Sequence, residues 1–150
     1  MPELPEAEVV ARQLRAHLLG ARFNECLVGR ADIVQEGLPT LSWYHGAVLE
    51  AVERYGKSVA LGFKKEGELR YVVAELGMTG LLLFRATQTK HPQHVHVRMS
   101  FTGGRESELR YWNPRRFGRL SLLDRAGLDR YRARRFGVDP LTVPRDEFVR

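Results

Sequence analysis

Residues 47–76 read AVLEAVERYGKSVALGFKKEGELRYVVAEL and contain three runs rich in apolar and β-branched residues, at 47–54, 58–63 and 69–76. Between them lie the pair Gly56-Lys57 and a charged stretch around Gly67. Short β-prone runs bounded by glycine or charge read as strands. Working outward, similar runs occur at 21–28, 80–85, 94–101, 108–112 and 118–123. So many short strands predict an α+β domain built on a β-sandwich, with two mostly antiparallel sheets. Two helices are expected to flank it. The first covers 5–19, with Pro5 in its first turn, Glu6 and Glu8 near its positive end, and Gly20 just beyond it. Ala7, Val10, Ala11, Leu14 and Leu18 fall on one face, so that helix packs on the core. The second helix is expected near residues 124–134.

With 150 residues and 43% apolar composition, the chain can close one core. No apolar run is long enough to span a bilayer, and the N-terminus lacks a signal-peptide pattern. A cytoplasmic location is therefore expected. Cys26 stands alone, which excludes an internal disulfide and a structural zinc cluster of thiolates. His94 and His96 share one side of a predicted strand but have no local carboxylate or thiol, so no metal site is assigned. The balance of 24 Lys+Arg against 18 Asp+Glu gives a net charge of +6, which suits a polyanionic partner. Between Arg110 and Arg135 nine arginines face only Asp124 and Asp129. Over 125–135 this pattern is read as the solvated face of a surface helix.

The N-terminal residues Pro2-Glu3-Leu4-Pro5-Glu6 carry possible chemistry. Removal of Met1 leaves Pro2 as a secondary amine, and free α-amino groups titrate near pH ~7.7–8.0, so part of the population is nucleophilic at neutral pH. Such an amine can attack an electrophilic sugar carbon and form an iminium. Glu3 and Glu6 lie close enough in sequence for acid/base work. Taken by themselves, these residues are far better read as a well-made helix start.

Five motifs in order decide between those readings. They are PELPEAE at the start, Arg54-Tyr55-Gly56-Lys57, Leu76-Gly77-Met78-Thr79-Gly80, Asn113-Pro114-Arg115-Arg116-Phe117-Gly118 and Gly137-Val138-Asp139-Pro140-Leu141. Together they resemble the N-terminal catalytic domain of the bacterial formamidopyrimidine-DNA glycosylases, whose pattern reads PELPE, RRGKYL, HLGMSG, DPRRFG and LGPDPL. The resemblance runs over the whole chain. Leu4 and the PRRFG stretch favour this branch over the endonuclease VIII branch.

The resemblance implies a base-excision-repair glycosylase and abasic-site lyase for oxidised purines such as 8-oxoguanine and formamidopyrimidines. Pro2 matches the nucleophile that attacks C1′ of a flipped nucleotide, giving a Schiff base that collapses by β,δ-elimination. Glu3 matches the acid that assists ring opening, Glu6 a supporting carboxylate, and Lys57 a lysine that holds a phosphate beside the lesion. Met78, Arg115 and Phe117 match the trio that fills the space left by the extruded nucleotide. That assignment is physically coherent: methionine fills irregular gaps, an aromatic wedge unstacks a step, and a guanidinium can pair with the orphaned base. Arg116 is assigned as a structural partner of the acidic site or a phosphate contact, and His91 as a contact to the DNA backbone.

The partner implied is double-stranded DNA with damaged purines or abasic sites, bound by a monomer and associated with the bacterial nucleoid. The chain departs from the family pattern at Glu75 (usually histidine), Asn113 (usually aspartate) and Tyr55 (usually arginine). Residues 1–150 are expected to form a single domain of a longer protein. The family's helix–two-turn–helix unit and its zinc finger lie outside it, so no cofactor is expected in this chain. Low turnover by this domain alone is expected. A non-catalytic module that binds damaged DNA with the same fold remains the alternative.

Overall fold

The computed structural model describes residues 6–29, 31–76, 81–84, 95–112 and 120–136. The first helix, α1, spans Glu6–Leu18 and buries Ala7, Val10, Ala11, Leu14 and Leu18, the stripe its 3.6-residue period sets up. Gly20 ends it at φ 88, and its N–H donates to the Leu49 carbonyl at 2.8 Å.

Nine strands follow among the described residues: β1 (Arg22–Val28), β2 (Val34–Glu36), β3 (Val48–Tyr55), β4 (Ser58–Lys65), β5 (Glu68–Glu75), β6 (Leu81–Phe84), β7 (Val95–Thr102), β8 (Glu108–Trp112) and β9 (Leu120–Asp124). The second helix, α2, spans Arg125–Phe136. Asp124 caps it, its Oδ1 accepting the Gly127 N–H at 2.7 Å.

The α+β class agrees with the sequence reading, but the division into two sheets does not appear in the pairing. The strands form one hydrogen-bonded series, β2-β9-β5-β4-β3-β1-β7-β8-β6. The reason lies at β1. It runs antiparallel to β7 from Arg22↔Thr102 to Val28↔Val97, yet meets β3 only at Arg22↔Val48. That single pair joins two arms into one sheet, and all its pairings are antiparallel except β2 with β9.

Both arms contribute to one core. Phe23 from β1, Phe63 from β4 and Phe101 from β7 interlock there. Phe23 meets Phe63 edge-on at 5.4 Å between centroids and Phe101 at 5.6 Å. Tyr44, from a 3₁₀ segment over Leu38–Tyr44, is fully buried and donates its hydroxyl to the Tyr71 carbonyl at 2.9 Å. Gly37 opens that segment at φ 86, and a Cβ there would overlap the Leu122 carbonyl oxygen, so this approach to β9 needs glycine. A smaller apolar cluster on the outer face joins Leu128 and Tyr131 of α2 to Ala60, Tyr71 and Val73.

Candidate functional site

One end of the sheet gathers the described residues that belong to or flank four of the five motifs. The turn Gly56-Lys57 joins β3 to β4, with Gly56 at φ 60, where glycine carries no Cβ penalty. Lys57 is exposed. Its carbonyl accepts the Leu76 N–H at 3.0 Å, which ties the turn to the residue leading into 77–80. One residue earlier, the Glu75 carbonyl accepts the Tyr111 hydroxyl at 2.9 Å. Tyr111 lies in β8, two residues before segment 113–119 begins, and β9 resumes at Leu120 opposite Ala74. Both anchors of 113–119 are therefore fixed beside the end of β5. Trp112 also pairs with Leu81, where 77–80 ends, and with Val95, which follows 85–94.

The start of α1 reaches the same turn through Arg54. Its Nε donates to Glu8 Oε1 at 3.0 Å, and its Nη1 donates to the Gly56 carbonyl at 2.9 Å. Arg12 Nε donates to the other Glu8 oxygen at 3.1 Å, and Arg15 Nη1 stands 3.9 Å from it. The hydrogen bond from Arg54, then that from Arg12, holds the Glu8 carboxyl below its usual range. From the opposite face, α2 supports the turn as well. The Ser58 and Tyr131 hydroxyls are 2.8 Å apart in a buried contact, and the Arg132 guanidinium lies 4.1 Å from the Tyr55 ring centroid. Burial first, and then the Tyr55 hydrogen bond to Glu53, push the phenol's pKa upward, so it stays a donor.

Among the sequence-predicted residues, Lys57 is placed at this end, and Glu6 supplies the first residue of α1. Pro2, Glu3, Met78, His91, Arg115, Arg116 and Phe117, with the Glu6 side chain, lie outside the described residues. What the structure brings together is the set of anchors from which those segments leave. Sequence reasoning missed Glu8 and Arg54 as a linked pair. Their signal was available in principle, since Glu8 follows Glu6 by two residues and Arg54 precedes Lys57 by three, but nothing local joins positions 46 residues apart.

No group of three or more potential metal-ligating side chains occurs among the described residues. No helix among them is long and apolar enough to cross a membrane. A groove of about 500 Å³ lined by Phe23, Cys26, Leu38, Leu41 and His45 lies between β1 and the 3₁₀ segment. Burial pushes the Cys26 thiol there up to about 12, which keeps it un-ionised.

The chemistry available at the gathered end suits an anion. An exposed ammonium stands on a turn pinned from two sides, close to the positive end of α1. Comparison with known proteins identifies the family. Residues 1–120 match the family model described as the formamidopyrimidine-DNA glycosylase N-terminal domain. A formamidopyrimidine-DNA glycosylase of Herpetosiphon aurantiacus is 35% identical over 146 residues, covering 94% of this chain and 50% of that protein. One from Corynebacterium jeikeium is 38% identical over 124 residues, covering 81% of this chain and 41% of its own length. The chain thus spans about half the length of the curated relatives it matches. Among solved structures, the Lactococcus lactis FPG (MutM) in complex with FAPY-dG-containing DNA superposes with a TM-score of 0.71 at 23% identity, over 86% of this chain and 47% of that one. The same enzyme with abasic-site DNA gives a TM-score of 0.71 over 87% and 47%. At that identity the structural likeness speaks for the fold.

Proposed function

The chain belongs to the formamidopyrimidine-DNA glycosylase family, and from that premise we propose that it carries the catalytic half of a DNA glycosylase and abasic-site lyase acting on oxidised purines. The freed amine of Pro2 attacks C1′ of the damaged nucleotide. The N-glycosidic bond breaks, and its electron pair leaves with the base, which takes up a proton. Glu3 protonates the ring oxygen as the sugar opens, leaving an iminium between C1′ and the Pro2 nitrogen. Loss of a C2′ proton then expels the 3′ phosphate, a second elimination expels the 5′ phosphate, and water releases the amine. Glu6 supports the acidic pair, and Lys57 holds a phosphate beside the lesion. Met78, Arg115 and Phe117 occupy the vacated space in the duplex, His91 contacts the backbone, and Arg116 braces the site or meets a phosphate. The partner is duplex DNA bearing a damaged purine or an abasic site, bound by a monomer.

The single observation that carries this reading is the convergence of anchors. Leu76 on Lys57, Tyr111 on Glu75 and Arg54 on Glu8 bring the described anchors of four separate motifs to one end of the sheet. Tight, salt-sensitive DNA binding takes about six to ten phosphate contacts, more than residues 1–150 tested by themselves are expected to make. This domain alone is therefore expected to turn over slowly, and efficient excision from an 8-oxoguanine duplex at physiological salt would refute that expectation.

The test of the chemistry is borohydride trapping on abasic duplex DNA at low salt, after mass spectrometry confirms that Met1 has been removed. A covalent adduct that disappears in Pro2→Gly supports the enzyme. Absence of an adduct from protein with a free Pro2 amine, together with selective binding to damaged duplex, supports a non-catalytic damage-binding module. Glu75, in place of the family's histidine, is the residue that favours this second reading.

A further inference from the structure

Glu8 and Arg54 have no part in the bond-making steps above, yet they connect the two elements on which those steps depend. Arg54 donates from two of its guanidinium nitrogens to two acceptors at once, from Nε to Glu8 Oε1 at 3.0 Å and from Nη1 to the Gly56 carbonyl at 2.9 Å. Glu8 is the third residue of α1, in its first turn. Gly56 immediately precedes Lys57, whose own carbonyl is bonded to Leu76 at 3.0 Å. The Glu8 side chain is only 20% exposed, and Arg12 holds its second oxygen at 3.1 Å. The carboxylate therefore has little freedom to release Arg54.

We propose that Glu8 and Arg54 form a positioning pair that fixes the start of α1 in register with the Lys57 turn. The proposal rests on the reading of Pro2 as nucleophile, for it makes the pair the element that sets how far the amine stands from a sugar whose phosphate Lys57 holds. Small displacements matter for such an attack: a misplacement of about 1 Å can cost about 100-fold in rate. Lysine at position 54 keeps the charge but presents a single ammonium, not a planar fork, and so cannot reproduce both bonds.

The experiment uses the full 150-residue chain with a free Pro2, as wild type, Glu8→Gln and Arg54→Lys. It measures binding to abasic duplex, borohydride trapping rate at saturating DNA, and amide exchange at Leu76. Two simpler roles make opposite forecasts. If Glu8 acted only as a negative charge near DNA, Glu8→Gln would bind more tightly and trap at least as fast. If Arg54 were a phosphate contact, Arg54→Lys would leave saturated trapping unchanged, with any loss confined to binding.

The positioning pair instead predicts about 10-fold slower trapping at saturation in both variants, with binding and its salt dependence unchanged in Arg54→Lys. It also predicts about 10-fold faster exchange at Leu76, with the buried amide of Leu61 unaffected. Wild-type trapping rates at saturation in both variants overturn the proposal, and so does unchanged exchange at Leu76. If wild type itself forms no adduct, the reading of Pro2 fails on its own, and the Leu76 exchange still decides whether the pair fixes the turn.

Discussion

The hydroxyl of Tyr111 links the two arms of the sheet at the end that carries the Lys57 turn, so Tyr111→Phe isolates that link. The ring is fully buried and phenylalanine keeps its packing, which leaves the lost bond to the Glu75 carbonyl at 2.9 Å as the main change. A typical intramolecular hydrogen bond contributes about 0.5–1.5 kcal/mol net, and a buried acceptor left unsatisfied costs about 1–3 kcal/mol. The carbonyl belongs to the last residue of a strand and Glu75 is half-buried, so the lower part of that range applies, about 1–2 kcal/mol. For a domain of this size, each kcal/mol moves Tm by about 2–4 °C, giving a fall of about 2–8 °C. Differential scanning calorimetry measures it directly. The functional consequence is sharper than the stability loss. Below its own transition Tyr111→Phe remains folded, yet the anchors of 77–80 and 113–119 lose a shared constraint, so borohydride trapping slows. A variant that melts and traps like wild type would refute the view that this bond holds the two segments together.

The other predictions concern separate features. Gly37→Ala places a Cβ against the Leu122 carbonyl in a left-handed conformation, which alone costs about 1–2 kcal/mol before the overlap is counted; urea denaturation should show a midpoint well below that of wild type. The Glu8 carboxyl has a lowered folded-state pKa, so its contribution is present above its unfolded value near 4.5 and is lost as pH falls through the folded value. Acid unfolding of Glu8→Gln should accordingly be less steep than that of wild type below about pH 4.5, and parallel curves would contradict the assignment. With its thiol pushed up to about 12, Cys26 should react slowly with an aromatic disulfide reagent at pH 8 and stoichiometrically after unfolding in urea; rapid reaction of the native protein would contradict the burial.

Much of the fold was legible because its signals are local. The stripe Ala7, Val10, Ala11, Leu14 and Leu18 announces α1, and the runs between 47 and 76 announce β3, β4 and β5 within a residue or two. By contrast, β2 is only three residues, Val34–Glu36, pairing with β9 at Val34↔Leu120 and Glu36↔Ser121. Three residues are too few to display a period. The 3₁₀ segment over Leu38–Tyr44 was hidden for a related reason, since its place depends on Gly37 passing close to Leu122 across the fold. The joining of two expected sheets into one rests on the single pair Arg22↔Val48, a tertiary fact with no local pattern.

The site divides along the same line. Lys57 was recognisable because it follows Gly56 within a motif, and the structure sets it on an exposed turn. The pairing of Glu8 with Arg54, the bond from Tyr111 to Glu75 and the contact of Tyr131 with Ser58 span 46, 36 and 73 residues. Each requires the chain to be folded before it can be seen. The replacement of the family's arginine by Tyr55 also takes on physical content only in three dimensions, where Arg132 of α2 supplies a guanidinium over the Tyr55 ring.

Whether Pro2 is the nucleophile is decided most directly by locating the reduced adduct on the chain. Abasic DNA is trapped with borohydride, the strand is digested, and the modified peptides are sequenced by tandem mass spectrometry. With Pro2 as nucleophile, one sugar remnant is expected on the nitrogen of Pro2, in the tryptic peptide running from Pro2 to Arg12, with Lys57 unmodified. An adduct on Lys57, or none from protein whose Pro2 amine is free, would contradict it.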